Sequence, residues 1–403
     1  MSVFAMRNPI QPYAWGSTDS IEKLFGIANP QQQPQAEVWM GAHPAAPSLL
    51  ADGEGSELPL DQLIEQQAEL YIGEDAQQRY GKRLPFLFKI LAAAKPLSIQ
   101  LHPTKAAAEA GFSAENARGV ELSDSCRNYK DDNHKPELIY ALTPFKAMHS
   151  FRPLSEMLEY LARLDAAKLP ASYARLRELG DSESLKQFFA DLMSLEGEAK
   201  QRALRNLMAV ARGRDELAFR TVMELYQYYP GDIGLFSPLL LNVVEMQPGQ
   251  ALFVDAGVPH AYLQGTGLEI MANSDNVLRA GLTPKHMDVP ELLANTRFEP
   301  VQPESLWVEP RVSGDESVFE VPVNDFSFSL HRLNGSLERQ PSQAEILLCV
   351  EGELEVEADD QSQITLRQGE SCFIGQPTQW YQIKGRELSP AHLTSYKGQA
   401  FIY

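Results

Sequence analysis

Cysteine is scarce in this chain. Three thiols, Cys126, Cys349 and Cys372, stand far apart in 403 residues and form no CxxC pair. That excludes a disulfide framework and a thiolate zinc knot, and it fits a reducing compartment. Long apolar runs are missing too. The richest stretch, residues 84–97, is broken by Pro85, Lys89, Lys95 and Pro96 and is too short to span a bilayer. The N-terminus, from Met1 through Asn8 and Pro9 to Trp15, has neither the basic start nor the apolar segment of a secretory signal. Basic charge is in deficit, with 35 Lys and Arg against 54 Asp and Glu and a net charge of −19. A surface of that sign repels nucleic-acid backbones and anionic lipid. The expectation is a cytoplasmic protein without nucleic-acid or membrane partners, in which any anionic ligand meets a local basic site.

What is present is an ordinary globular balance, 44% apolar and 22% charged, at a length that suggests two or three domains. Residues 1–150 alternate short apolar runs with Pro, Gly and Asn, which favours strands and long loops, with a helix or two around Leu60 to Tyr71. Phe86–Ile90 and Leu97–Leu101 are bounded by prolines, as buried strands are. Between Pro153 and Tyr229 the pattern turns helical. Leu185, Phe188, Phe189 and Leu192 fall at i, i+3, i+4 and i+7, and Leu204, Leu207, Met208, Ala211 and Phe219, Val222, Met223, Tyr226 repeat that spacing. After Tyr229 strand character returns in Leu239–Met246, Ala251–Val254 and Leu268–Met271, and again from Val318 onwards, with alternation in Leu354-Glu355-Val356-Glu357. The expected fold is mainly β, built from jelly-roll β-sandwich domains interrupted by one helical insertion. The expected segments are 1–150 plus 230–325, 151–229, and 326–403.

Three clusters carry the chemistry. Gln100 and His102 lie two apart at the end of an apolar strand and would face one side, about 7 Å apart. Asn133-His134-Lys135-Pro136-Glu137 packs an imidazole, an ammonium and a carboxylate into five residues. His260 follows an apolar strand and the Pro248-Gly249 turn. Gln100, His102, Glu137 and His260 would form a mixed N/O metal site of the kind zinc accepts. Each His beside a proline reads equally well as a hydrogen-bonded structural residue. Cations gather nearby: residues 86–105 hold Lys89, Lys95 and Lys105 and no acid, and Arg279 and Lys285 bracket Gly281. Such groups suit a phosphate.

At these residues the sequence resembles the type I phosphomannose isomerases, zinc enzymes of the cupin superfamily. The resemblance is carried by Tyr129 through Glu137 and by a 26-residue stretch from His260 to Lys285 that includes Gly265, Glu269, Ser274-Asp275-Asn276 and Arg279-Ala280-Gly281. Tyr13-Ala14-Trp15-Gly16, Glu37 to Gly41 and Ser98 to Pro103 support it. It covers residues 7–290 well and the last hundred only in architecture. It implies one zinc ion per chain held by Gln100, His102, Glu137 and His260, and a sugar-phosphate substrate. Catalytic roles fall to Arg279, Glu269 and Lys135, and substrate contacts to Ser98, Lys89 and Lys285. The implied reaction interconverts mannose 6-phosphate and fructose 6-phosphate through a zinc-stabilised enediolate, in a monomer or weak homo-oligomer. The proton-transfer base stays open among Glu269, His43, Lys135 and a zinc-bound water, and Glu269 reads equally as a partner of His260 or Lys135.

Two other classes share these ligands. An iron-dependent oxygenase would use two His and a Glu but leaves Gln100 and the cations unexplained. A catalytically idle cupin would be expected to lack a ligand or Arg279. In the C-terminal segment, Gln368 to Gly375 repeats the turn-strand-turn that precedes His260, yet Thr378-Gln379-Trp380 follows it. That segment is expected to be a metal-free cupin in which Cys349 and Cys372 pack as small apolar residues.

Overall fold

The computed structural model describes residues 2–51, 57–333, 335–386 and 398–402. Residues 387–397 of the expected C-terminal segment thus lie outside the described residues. The chain packs as two compact units. One holds residues 1–92, 266–273 and 308–403, and the other holds 93–265 and 274–307. These units run across the expected segments.

In the first unit, strand Val3–Arg7 lies antiparallel between Leu49–Ala51 and Ser371–Ile374, with Val3 opposite Ile374. Ser371–Ile374 in turn pairs with the long strand Glu345–Ala358. The first residues of the chain therefore belong to the sheet of its last hundred. Along Glu345–Ala358 the expected alternation holds: Leu354 and Val356 are buried and Glu355 and Glu357 are half-buried. Cys349 and Cys372 lie in an apolar cluster with Val3, Leu347, Leu354 and Tyr381, where burial holds the Cys349 thiol up at about 12. A second group of strands runs Ile10–Gln11, Glu37–Gly41, Phe86–Ala93. Every residue of Phe86–Ala93 is buried, which explains why its pattern is apolar on both faces save for the buried Lys89.

In the second unit the first two expected helical stripes are the inner faces of Ser182–Met193 and Gly197–Ala211, and in Leu217–Tyr226 the inner face holds Phe219, Val222 and Leu225 while the expected Tyr226 is exposed. Asp181 opens the first of them with a reciprocal capping box to Ser184. Their apolar residues form one cluster with Ile99, Leu101, Leu278 and Ala280. The helices and the strands that carry the polar clusters thus share a core. Those strands run in the order Leu241–Met246, Phe145–Phe151, His260–Ala272, Gln100–Leu101, Leu278–Arg279.

Mainly β needs correction, because helix and strand occupy about equal shares of the described residues. Beyond the insertion, helices span Ser20–Phe25, Leu60–Ile72, Glu74–Tyr80 and Lys105–Ala117. The last is a run of small residues with no apolar stripe. It forms because Ala, Lys and Glu are good helix formers and because the Thr104 hydroxyl accepts the Ala107 N–H at 3.2 Å. Among the described residues no helix is long and apolar enough to cross a membrane.

Candidate metal centre

Strand register lines up four polar residues. His260 sits opposite His149 on one side and Gln100 on the other, and Gln100 sits opposite Arg279. Register partners project to the same face of a sheet, so one face presents His149, His260, Gln100 and Arg279 in a row. His102 follows immediately after Gln100–Leu101. Glu137 opens strand Glu137–Ala141, opposite Val254.

The three residues His102, Glu137 and His260 converge. Their candidate ligand atoms lie within 4.8 Å of one another and all three side chains are buried. His102 Nε2 is 3.3 Å from Glu137 Oε1, and His260 Nε2 is 3.4 Å from Glu137 Oε2. On the far side of each ring, Nδ1 of His102 donates to the Asn276 carbonyl at 2.7 Å and Nδ1 of His260 donates to the Val258 carbonyl at 3.0 Å. A backbone carbonyl accepts only, so Nδ1 carries the proton and Nε2 presents a lone pair. Burial, then the Lys135 charge, pulls the His102 pKa down to about 4, so the ring is neutral. Two lone pairs thus face a carboxylate, and His102 Nε2 is buried with no hydrogen-bond partner. Such an arrangement is repulsive without a cation at its centre, and the donor set fits a divalent ion such as zinc.

Lys135 donates from Nζ to Glu137 Oε1, and the Tyr262 hydroxyl donates to Glu137 Oε2 at 3.4 Å. Burial pushes the Glu137 carboxyl up, but Lys135 and then His102 more than offset it, and the group lies well below the usual carboxylate range. It is an anion at neutral pH. Arg279 is half-buried, and its pKa is lowered by burial. Among the described residues it has no ion-pair partner. The Lys285 ammonium is lowered first by Arg279 and then by burial. A cation disfavoured by a neighbouring cation in this way marks a spot that favours an anion. Ser98 is half-buried. The amide of the next residue, Ile99, donates to the Gly281 carbonyl at 3.0 Å, and the Ala280 amide donates back to Ile99 at 3.0 Å.

Two expected site residues belong to the first unit. Lys89 pairs with Glu269 at 3.1 Å and with Glu37 at 3.6 Å, all three buried. Glu37 accepts from Trp39 Nε1 at 2.7 Å, Lys89 lies over the Trp39 ring, and the His43 ring meets that ring edge-on. On sequence Glu269 reads equally as a partner of His260 or Lys135; the structure shows its ion pair with Lys89. Spacing assigns no role to Tyr262 or to Asn276, although both stand inside the dense stretch from His260 to Lys285.

A buried His-Glu-His group on the face of a β-sheet, its lone pairs turned inward, defines a metal-binding β-sheet protein. Comparison with known proteins makes this specific. Residues 3–154 match the catalytic domain of phosphomannose isomerase type I, 164–241 its helical insertion domain, and 315–389 the mannose-6-phosphate isomerase cupin domain. The mannose-6-phosphate isomerase of Salmonella typhimurium is 50% identical over 370 residues, covering 91% of this chain and 93% of that protein. The human enzyme of the same name is 33% identical over 405 residues, covering 93% of each. A zinc-bound crystal structure of mannose 6-phosphate isomerase superposes with a TM-score of 0.91 at 46% identity, covering 100% of this chain and 99% of the other. The chain belongs to the type I phosphomannose isomerase family.

Proposed function

We propose that this chain interconverts mannose 6-phosphate and fructose 6-phosphate, with one zinc ion as cofactor. The observation that carries the reading is the His102–Glu137–His260 group with its orphaned lone pair. Gln100, opposite His260 in the sheet, supplies an amide oxygen as the fourth protein ligand. The family matches to 164–241 and 315–389 support the division into a catalytic jelly roll, a helical insertion at 151–229 and a C-terminal cupin at 326–403. We place the enzyme in the cytoplasm as a monomer or weak homo-oligomer.

Aldose–ketose isomerisation moves a proton between C1 and C2, and negative charge grows on the carbonyl oxygen as that proton leaves. When bound, zinc acts as a Lewis acid that polarises this oxygen. Arg279 and Lys285, neighbouring cations with no ion-pair partner among the described residues, serve the anionic groups of the substrate and the charge that develops. Ser98 contributes a hydroxyl beside the strand that carries Gln100. Lys135 keeps Glu137 ionised and ready to ligate, and it holds a proton next to that carboxylate. Glu269 is assigned the proton transfer, with Lys89 as its counter-ion and as a substrate contact.

The deciding experiment is an isomerase assay on mannose 6-phosphate before and after chelation, with metal analysis of the same sample. Activity should disappear with the zinc and return when zinc is added back. Full activity after complete metal removal would overturn the reading.

A further inference from the structure

We propose that Asn276 is a positioning residue that couples two metal ligands, holding His102 through its main chain and the approach to Glu137 through its side chain. The proposal rests on the metal-dependent reading above. Asn276 is 0% exposed. Its carbonyl receives the His102 Nδ1 proton at 2.7 Å, which fixes both the tautomer and the ring direction of that ligand. Its side-chain Oδ1 accepts from the backbone amides of Lys130 at 2.7 Å and Asp131 at 3.3 Å. Its Nδ2 donates to the carbonyls of Asp131 and Asn133, both at 2.8 Å, and to Asp131 Oδ1 at 3.2 Å.

The turn so gripped ends at Asn133, four residues before Glu137 and two before Lys135. Asp131 tightens it from the other side. Its carboxylate accepts from Ser274 Oγ at 2.8 Å, from the Asp275 amide at 2.7 Å and from the Asn133 amide at 2.9 Å. One buried residue therefore ties together two segments that are far apart in sequence, and each segment delivers a ligand.

The chemistry requires a carboxamide. Two backbone N–H groups need an acceptor and two backbone carbonyls need a donor, and an amide supplies both ends at once. Aspartate has the shape but would turn a charged acceptor towards the two carbonyls. Alanine would take away the side-chain partner of the Lys130 and Asp131 amides and of the Asp131 carbonyl, whereas the Asn133 carbonyl keeps Ser274 Oγ at 3.2 Å. Either change frees the turn ahead of Glu137 while the carbonyl that holds His102 remains. The distance between the two ligands would then no longer be set before the metal arrives.

The test compares full-length Asn276→Ala and Asn276→Asp with wild type and with Asn206→Ala. Asn206 is a buried amide that bridges to Asp165 among the helices, and it serves as a control for general loss of stability. Zinc affinity is measured by competition with a chelator, and the site geometry by the visible spectrum of the cobalt-loaded protein. Both Asn276 variants should bind zinc about 10–100-fold more weakly and shift the cobalt bands. Asn206→Ala should lower the melting temperature and leave affinity and spectrum as in wild type. Wild-type zinc affinity and cobalt spectrum in Asn276→Ala would overturn the proposal, whatever its melting temperature. If the Asn276 variants do not fold, Ser274→Ala removes the hydroxyl bonds to Asp131 and Asn133 and the one that Ser274 Oγ accepts from the Asn276 amide at 3.2 Å. It should weaken zinc several-fold, and unchanged affinity there would overturn the proposal equally. Failure of the wild type itself to bind zinc would instead reject the metal-dependent reading.

Discussion

Two imidazoles, an ammonium and a phenol surround the single carboxylate of Glu137. Removing it has two separable effects. Glu137→Ala deletes a ligand, so zinc and isomerase activity should both be lost. It also leaves the Lys135 ammonium buried without its partner, which costs about 3–5 kcal/mol. The variant should still fold, and metal analysis with a thermal melt checks both parts. Arg279 behaves differently because it touches no ligand-bearing carboxylate. Arg279→Ala should keep its zinc while turnover falls by at least 100-fold, and steady-state kinetics with metal content on one sample test this. Turnover at the wild-type level would remove Arg279 from the mechanism.

At the scale of elements, the segment carrying Lys135 and Glu137 is seated against helix Lys105–Ala117. A Cβ built on Gly111 would lie 2.2 Å from the Tyr129 ring, so the helix and the start of that segment touch through a glycine. The Tyr129 hydroxyl donates to Glu291, and the Tyr129 amide donates to Glu115 on the helix itself at 2.9 Å. The ring is pinned on both sides. Replacing a helical glycine by alanine ordinarily stabilises by about 1 kcal/mol. Here the overlap has no cheap relief, and overpacking of about 1–3 kcal/mol should win. Gly111→Ala is expected to lower the melting temperature and to weaken zinc binding. A stabilised variant with normal affinity would show that the segment does not depend on this contact.

At the scale of the molecule, acid tolerance is set in part within the first unit. His331 is 2% exposed, and its Nε2 accepts from Ser329 at 3.0 Å and from Arg339 at 3.4 Å. Burial, then the Arg339 charge, lowers its pKa from 6.5 to about 4. The unfolded chain therefore takes up a proton at pH values where the folded chain does not. The stability this ring supports is complete above about pH 6.5 and is lost as pH falls from there towards 4, with a slope of up to about 1.4 kcal/mol per pH unit. His331→Gln should flatten the pH dependence of unfolding between pH 6.5 and 4, at a cost near neutrality of about 1 kcal/mol for the altered hydrogen bonds. Denaturant titrations across that range would show it, and parallel curves for the two proteins would rule it out.

How much was legible in advance follows the range of the interactions. The three helical stripes, the strand at Phe86 and the alternation at Leu354 are local periodicities, and the sequence alone determined them. It also determined the ligand types, because His102, Glu137 and His260 stand in motifs dense enough to identify the family. Helix Lys105–Ala117 was not legible, since small residues leave no apolar stripe and its seat is the Tyr129 ring. The joining of Val3–Arg7 to the sheet of the last hundred residues was not legible either, because strand partners are chosen by long-range pairing. The same holds for the pairing of Glu269 with Lys89, 180 residues away, and for the grip of Asn276 on the turn before Glu137. An ion pair or a hydrogen bond depends on distance in space, and only the tertiary structure decided those distances.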